Sequence, residues 1–171
     1  DPSKDVDGFH PETLKKFLSG KSDFLTGLSL GIVRLIESTQ EELPGKKAVI
    51  IANSEIFSSP LVKLFTDRGL AVEVIAADDE QIDTKASQGD VLVVAIGRPG
   101  FVGADMVKEG AIVIDVGTTK VDSQITGDVD FDAVSEKAGY ITPVPGGVGP
   151  VTVAMLLENT VKLAKRHRTI A

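Results

Sequence analysis

The nine residues Thr142-Pro143-Val144-Pro145-Gly146-Gly147-Val148-Gly149-Pro150 hold three glycines and three prolines and run straight into an amphipathic helical pattern, Val151 to Lys165. Glycine removes the Cβ that keeps a ligand off the backbone, proline narrows the loop's alternatives, and a helix start offers N–H groups without partners. Pro150 suits a first helical turn, where its missing N–H costs nothing. The chemistry open to such a loop is binding: a flat or anionic ligand against bare amides at the mouth of a helix. A tight strand-to-helix connection with no ligand is the plainer reading of a Pro/Gly loop taken alone.

The elements that must position this loop follow from hydrophobic spacing. Short apolar runs bounded by turn residues alternate with helical patterns, as in a parallel α/β sheet. Strands are predicted at Ala48 to Ile51, Val72 to Ala76, Val91 to Ile96, Ala111 to Val116 and Tyr140 to Thr142, with Val91 to Ile96 apolar throughout and therefore central. Helical spacing covers Ile56 to Arg68 and a turn near Phe131 to Ala138, while Asp79 to Gln88 reads as a polar crossover and Val121 to Thr126 as a small hairpin or arm. The final helix carries Val153, Leu156, Leu157, Thr160, Val161 and Ala164 along one face. Upstream, Pro11 to Leu18 and Leu28 to Thr39 read as two helices with no strand between them. The expected fold is a Rossmann-like, doubly wound, mostly parallel sheet with flanking helices over residues 41–171, preceded by lead-in helices over residues 1–40. Ligands of such sheets bind beyond the carboxyl ends of the strands. Five loops qualify: Ala52 to Pro60, Ala77 to Glu80, Gly97 to Phe101, Gly117 to Lys120 and Pro143 to Pro150. No Gly-x-Gly-x-x-Gly string follows the first strand, so that loop alone does not point to a nicotinamide cofactor.

Bulk properties exclude several classes. The 171 residues suffice for one domain with a real core. No run approaches the roughly 18 apolar residues of a membrane helix, and no signal peptide is evident, which points to a soluble cytoplasmic protein. A net charge of −7 argues against a nucleic-acid surface. The basic run Lys162, Lys165, Arg166, His167 and Arg168 complements the negative end of the last helix dipole. Zero cysteines exclude disulfides and thiolate metal sites, and two histidines at opposite ends of the chain argue against zinc catalysis. The chain opens with Asp1 rather than Met, which reads as a processed product or a fragment.

The string Thr-Pro-Val-Pro-Gly-Gly-Val-Gly-Pro-Val-Thr-Val-Ala-Met-Leu-Leu-Glu-Asn-Thr closely resembles the C-terminal signature of the bifunctional methylenetetrahydrofolate dehydrogenase/methenyltetrahydrofolate cyclohydrolase family. Asp5-Val6-Asp7-Gly8-Phe9-His10-Pro11, Gly97-Arg98-Pro99-Gly100-Phe101, Ile114-Asp115-Val116-Gly117 and Gly127-Asp128-Val129-Asp130-Phe131 extend the resemblance over nearly the whole chain. It implies a C-terminal dinucleotide-binding domain facing a smaller N-terminal domain across a cleft, with dimers formed through this domain and the Val121 to Thr126 arm as a contact. It implies that Asp7 holds the pterin of a tetrahydrofolate derivative, and that Pro145, Gly146, Gly147 and Val148 form the wall shared by folate and nicotinamide. As ordinary turn residues, Asp5 and Asp7 would need no ligand. The reaction implied is hydride transfer from the methylene bridge to the nicotinamide, then hydration and ring opening to formyltetrahydrofolate. The family's acid/base lysine and its tyrosine partner reside in the N-terminal domain, so this chain alone is expected not to turn over substrate.

The resemblance also assigns cofactor contacts to Ala52, Asn53, Ser54, Ala77, Gly97 and Thr118, with NADP as the cofactor. Here the chain departs from the pattern. Ala52-Asn53-Ser54-Glu55-Ile56-Phe57-Ser58-Ser59-Pro60 stands where Gly-Arg-Ser-x-Ile-Val-Gly-x-Pro is usual, so both glycines gain side-chain atoms and a permanent cation is lost. Ala77 is followed by Asp78 and Asp79, which would repel a 2′-phosphate. Thr118-Thr119-Lys120 and Thr26-Gly27-Leu28-Ser29 also differ from the family's usual residues. These departures leave open NADP, a preference for NAD, and a weakened cofactor site in a noncatalytic folate-binding or dimer-forming paralogue; loops that drift while backbone contacts persist are the plainer account.

Overall fold

The computed structural model describes residues 1–22 and 24–170, with side chains up to Arg166. After a short 3₁₀ turn at Pro2–Lys4 come helices α1 (Pro11–Leu18) and α2 (Gly27–Ser38). Strand β1 (Lys47–Ala52), helix α3 (Glu55–Asp67), β2 (Ala71–Ile75), α4 (Ile82–Ala86), β3 (Val91–Ala95) and β4 (Ile112–Asp115) follow in alternation. The hairpin β5 (Thr119–Val121) and β6 (Gln124–Thr126), helix α5 (Phe131–Ser135), β7 (Tyr140–Ile141) and the long α6 (Val148–Ile170) complete the chain.

The main sheet is parallel, in the order β2-β1-β3-β4-β7, with Ala48 paired to Val72 and Val91. The apolar strand β3 is central, as its unbroken hydrophobic run requires: a strand covered on both faces has no polar side to show. Alternation along β1 sorts its side chains into two layers. Ala48, Ile50 and Ala52 join Ile32, Val33 and Ile36 of α2 and Leu61 and Phe65 of α3. Val49 and Ile51 face Ala86 of α4, Met106 and Val134 of α5. Phe65, about 1% exposed, is the largest of the fully buried side chains. Truncating a buried phenylalanine to alanine costs about 3–5 kcal/mol.

Two expectations are corrected. The polar crossover Asp79 to Gln88 contains a helix, α4, because Ile82 and Ala86 are spaced four apart and both reach the core. The apolar face assigned to the last helix points mostly outward, with Leu156 alone of its six residues turned toward α2. Val153, Leu157 and Val161 are 58%, 66% and 52% exposed, whereas Asn159 is buried. α6 packs on α2 through small contacts: a Cβ at Gly27 would meet the Leu156 side chain, and one at Gly31 would meet Thr152. Asn159 then donates through Nδ2 to the carbonyls of Val6 and Leu25, 3.0 and 2.9 Å away. A buried polar side chain that finds both acceptors is a tether rather than a cost. Of the C-terminal basic run, the side chains of His167 and Arg168 lie outside the described residues. Among the described residues no helix is long and apolar enough to cross a membrane.

Candidate functional site

The Pro/Gly loop follows β7 and reaches the carboxyl edge of the sheet, where its last three residues become the first turn of α6. Pro150 therefore sits in the first helical turn. The Val144–Pro145 peptide is cis, and Gly146 has φ +106°, a conformation open to glycine. Gly147 is fixed by crowding instead: a Cβ there would lie 2.5 Å from the Pro143 carbonyl oxygen. Among the described residues no acceptor meets the N–H of Val144, Gly146, Gly147, Val148 or Gly149. The loop walls a cavity of about 480 Å³ together with Leu28, Gly117, Thr118 and Ile125. The structure thus brings Thr118, Pro145, Gly146, Gly147 and Val148 to one apolar, amide-lined hollow.

Two buried carboxylates hold the surrounding loops. Asp115, at the end of β4, accepts hydrogen bonds from the N–H groups of Gly117 and Asp128 at Oδ1 (2.9 and 3.0 Å) and of Val129 at Oδ2 (2.9 Å). Its own N–H donates to Oγ1 of Thr142, at the foot of the Pro/Gly loop. Burial pushes the Asp115 carboxyl above its ordinary value; the three N–H donors pull it down, and the neighbouring Asp128 carboxylate pushes it up again. Asp128 accepts from Ile96 and Gly97 N–H at Oδ2, while its Oδ1 is buried with no partner among the described residues. The chain packs so closely here that a Cβ on Gly117 would lie 2.5 Å from the Asp128 nitrogen.

A second hollow, an open groove of about 510 Å³, lies beyond β1 and β2 and is lined by Ala52, Asn53, Ser54, Glu55, Ser58 and their neighbours. Ser54 caps α3 without a side-chain hydrogen bond, and the N–H groups of Glu55 and Ile56 meet no acceptor among the described residues. Ala77 does not line this groove but is tied to it, because its N–H donates to Oδ1 of Asn53 at 3.1 Å. Arg98 reaches back from the β3 loop to donate to the Ala77 carbonyl and lies over the Phe101 ring. Gly97, exposed with φ +70°, stands in the same loop, outside both hollows. Of the six positions assigned to a cofactor, Ala52, Asn53 and Ser54 line the groove and Thr118 lines the cavity, while Ala77 and Gly97 stand outside both, after β2 and β3.

Asp5 and Asp7 separate cleanly. The Asp5 carboxylate accepts from Gly8 and His10 N–H at 3.0 and 2.9 Å, the work of a turn aspartate. The Asp7 side chain is exposed and has no partner among the described residues. Its carbonyl accepts from Gly27 N–H, one residue before the cavity-lining Leu28. Asp7 stands beside the cavity rather than in its wall.

Residues 27–168 match the model of the tetrahydrofolate dehydrogenase/cyclohydrolase NAD(P)-binding domain. The chain belongs to that family. Bifunctional protein FolD of Halothermothrix orenii is 49% identical over 97% of this chain, and that of Bacillus subtilis 46% identical over 96%. The chain spans 59% of the length of each. Among solved structures, the Campylobacter jejuni bifunctional enzyme FolD aligns with a TM-score of 0.90 at 44% identity, over 98% of this chain and 60% of that one. The Trypanosoma brucei enzyme, solved with NADP cofactor and an inhibitor, also aligns at 0.90, with 35% identity over 98% and 60%.

As an NAD(P)-binding domain, the chain is tested by its own groove, and the residues fit. The start of α3 offers the Glu55 and Ile56 amides and the uncommitted Ser54 hydroxyl, a donor set suited to a diphosphate. The added side chains of Ala52 and Ser58 are each 6% exposed, so most of their surface is taken into the protein rather than projected across the groove. Arg98, Asp115, Asp128 and Asn159 all stand within motifs legible in the sequence, but no role was legible there for any of them. A carboxylate closing a strand as apolar as β4 was the available signal for Asp115, since a buried charge requires donors. Nothing local marked the reach of Arg98 to the Ala77 carbonyl, 21 residues away in sequence.

Proposed function

We propose that this chain is the dinucleotide-binding part of a cytoplasmic bifunctional enzyme. The enzyme oxidises 5,10-methylenetetrahydrofolate to methenyltetrahydrofolate and hydrolyses that to 10-formyltetrahydrofolate. The observation that carries the reading is the pairing of two hollows on one sheet edge: the amide-lined Pro145 to Pro150 cavity and the groove at the start of α3. In this reading NADP or NAD, when bound, supplies the hydride acceptor. The α3 amides and Ser54 hold its diphosphate, with Asn53, Ala77 and Gly97 lining its path and Thr118 beside the nicotinamide. Pro145, Gly146, Gly147 and Val148 wall the folate, exclude water from one face, and orient the methylene carbon; Asp7 accepts from the pterin. Residues 1–40 serve as lead-in helices from an N-terminal domain that brings the acid/base lysine, and residues 41–171 form the nucleotide-binding unit. The exposed α6 stripe Val153, Leu157 and Val161 suits contact with that domain, and the β5–β6 arm suits a homodimer.

A second reading, a noncatalytic folate-binding paralogue, draws support from the neutral Asn53 and the absence of a cation among the residues lining the groove. Steady-state kinetics separate the two. The full-length protein is expected to form NAD(P)H from methylenetetrahydrofolate, and the 171-residue chain alone is expected not to. Folate binding without nucleotide binding or turnover in the full-length protein would favour the paralogue.

A further inference from the structure

Resting on the reading that the groove at the start of α3 takes a dinucleotide, we infer that this chain selects an unphosphorylated adenosine ribose. Asp78 is the acceptor for the 2′-hydroxyl, and Asn53 is its neutral neighbour. The cofactor so chosen is NAD rather than NADP.

The side chains at the end of β2 divide into committed and uncommitted groups. Asn53 spends Oδ1 on the Ala77 N–H, which ties the end of β1 to the segment after β2 and leaves Nδ2 free to donate. Asp79 is committed: Lys85 Nζ lies 2.6 Å from Oδ2 and the Gln81 N–H 2.8 Å from Oδ1. The Lys85 hydrogen bond, with the Gln81 N–H, holds its carboxyl below the ordinary value. Asp78 has no such partner among the described residues. It is exposed, and its Cα is about 3.8 Å from that of Ala77, whose N–H Asn53 holds. A free carboxylate just past the second strand, next to the strand that leads into the phosphate-facing helix, is where doubly wound folds accept a ribose 2′-hydroxyl.

Charge decides against the alternative. A 2′-phosphate brings about −1.5 to −2 charge at neutral pH, as a phosphate monoester does. Among the groove-lining residues the one charged side chain is Glu55, and Asp78, next in the chain to the Ala77 that Asn53 holds, adds a second carboxylate. Lys85 is neutralised by Asp79. Arg98 is the cation that could answer a phosphate, but its Nη1 donates to the Ala77 carbonyl and its guanidinium lies 5.2 Å from the Phe101 ring centroid. One guanidinium, already engaged, would have to offset two carboxylates as well as the phosphate. A 2′-hydroxyl needs only an acceptor and a donor, and Asp78 and Asn53 supply one each.

The test is titration calorimetry of the full-length protein with NAD and NADP, and with AMP and adenosine 2′,5′-bisphosphate as probes of the adenosine end alone. NAD and AMP are expected to bind at least about tenfold more tightly than their 2′-phosphorylated counterparts. Asp78→Ser is expected to bring the two within about threefold, and Asn53→Arg to favour the phosphorylated pair. Both side chains are exposed, and circular dichroism checks that the variants fold. Tighter or equal binding of NADP and the bisphosphate overturns the inference while leaving the dinucleotide reading intact, with Arg98 as the phosphate's partner. Saturable binding of none of the four overturns that reading and the inference with it.

Discussion

The carboxylate of Asp128 accepts from the N–H of Gly97 across 31 residues of sequence, at 2.9 Å, and takes the Ile96 N–H at 2.7 Å with the same oxygen. This pins the turn after the central strand β3 to the segment after the β5–β6 arm. Removing the side chain strands two donors that are only part-buried, so each loss falls in the lower part of the roughly 1–3 kcal/mol of an unpartnered buried group. Asp128→Ala is expected to lower the unfolding free energy by about 2–4 kcal/mol in urea denaturation. Asp128→Asn keeps an oxygen for both N–H groups and removes a buried charge, so it is expected to cost less than half as much. Equal losses in the two variants would show that the hydrogen bonds are not what the side chain contributes.

Gly147 and Gly149 differ sharply although two residues apart. A Cβ at Gly147 would crowd the Pro143 carbonyl and the Thr142 Cβ, 2.8 Å away, whereas one at Gly149 meets nothing within 4 Å. Gly147→Ala is expected to destabilise by about 1–3 kcal/mol and to weaken folate binding to the full-length protein while nucleotide binding persists. Gly149→Ala is expected to stay within about 0.5 kcal/mol of the parent. Thermal unfolding and ligand titrations on both variants check this.

Stability should respond to pH through Asp115 in an unusual direction. Its folded carboxyl lies above the ordinary 3.8, so the stability it contributes is complete below that value and is lost as pH rises through the folded value. Asp79 and Asp90 act oppositely. Asp90 is held low although burial pushes it up, because the Lys108 and Lys47 donors outweigh that push; its contribution, like that of Asp79, is present above 3.8 and lost as pH falls. Denaturation midpoints measured from about pH 3 to 8 are expected to include a fall with rising pH, beginning above the ordinary 3.8, that Asp115→Asn flattens, whatever that variant costs overall. An unchanged arm in Asp115→Asn would assign the decline to another group.

The proposed homodimer rests on the β5–β6 arm, where Val121 and Ile125 are 40% and 43% exposed. Val121→Asp should leave thermal stability nearly unchanged, since an exposed position carries little packing, but shift sedimentation equilibrium from dimer to monomer. A monomeric parent at all concentrations would remove the dimer from the reading.

Much of the fold was legible because hydrophobic period reports burial directly: the unbroken apolar run Val91 to Ile96 reads as a central strand, and β3 is central. Helix α4 was missed because five residues carry too little periodicity to outweigh a polar surround. The outward stripe on α6 misled for the opposite reason. Its periodicity is real, but periodicity states that a face is apolar, not which neighbour covers it.

Residue types in the Thr142 to Pro150 string determined by themselves that bare amides would meet a helix start, since missing Cβ atoms and a missing N–H are local facts. The extended motif matches likewise determined the family. Tertiary structure alone decided that Thr118 joins that loop in one cavity, that Asn53 is bonded to Ala77, and that Asp115 and Asp128 hold the loops between them. Each of these is a contact between distant segments. Such contacts depend on strand order and register, which no local pattern of residues contains.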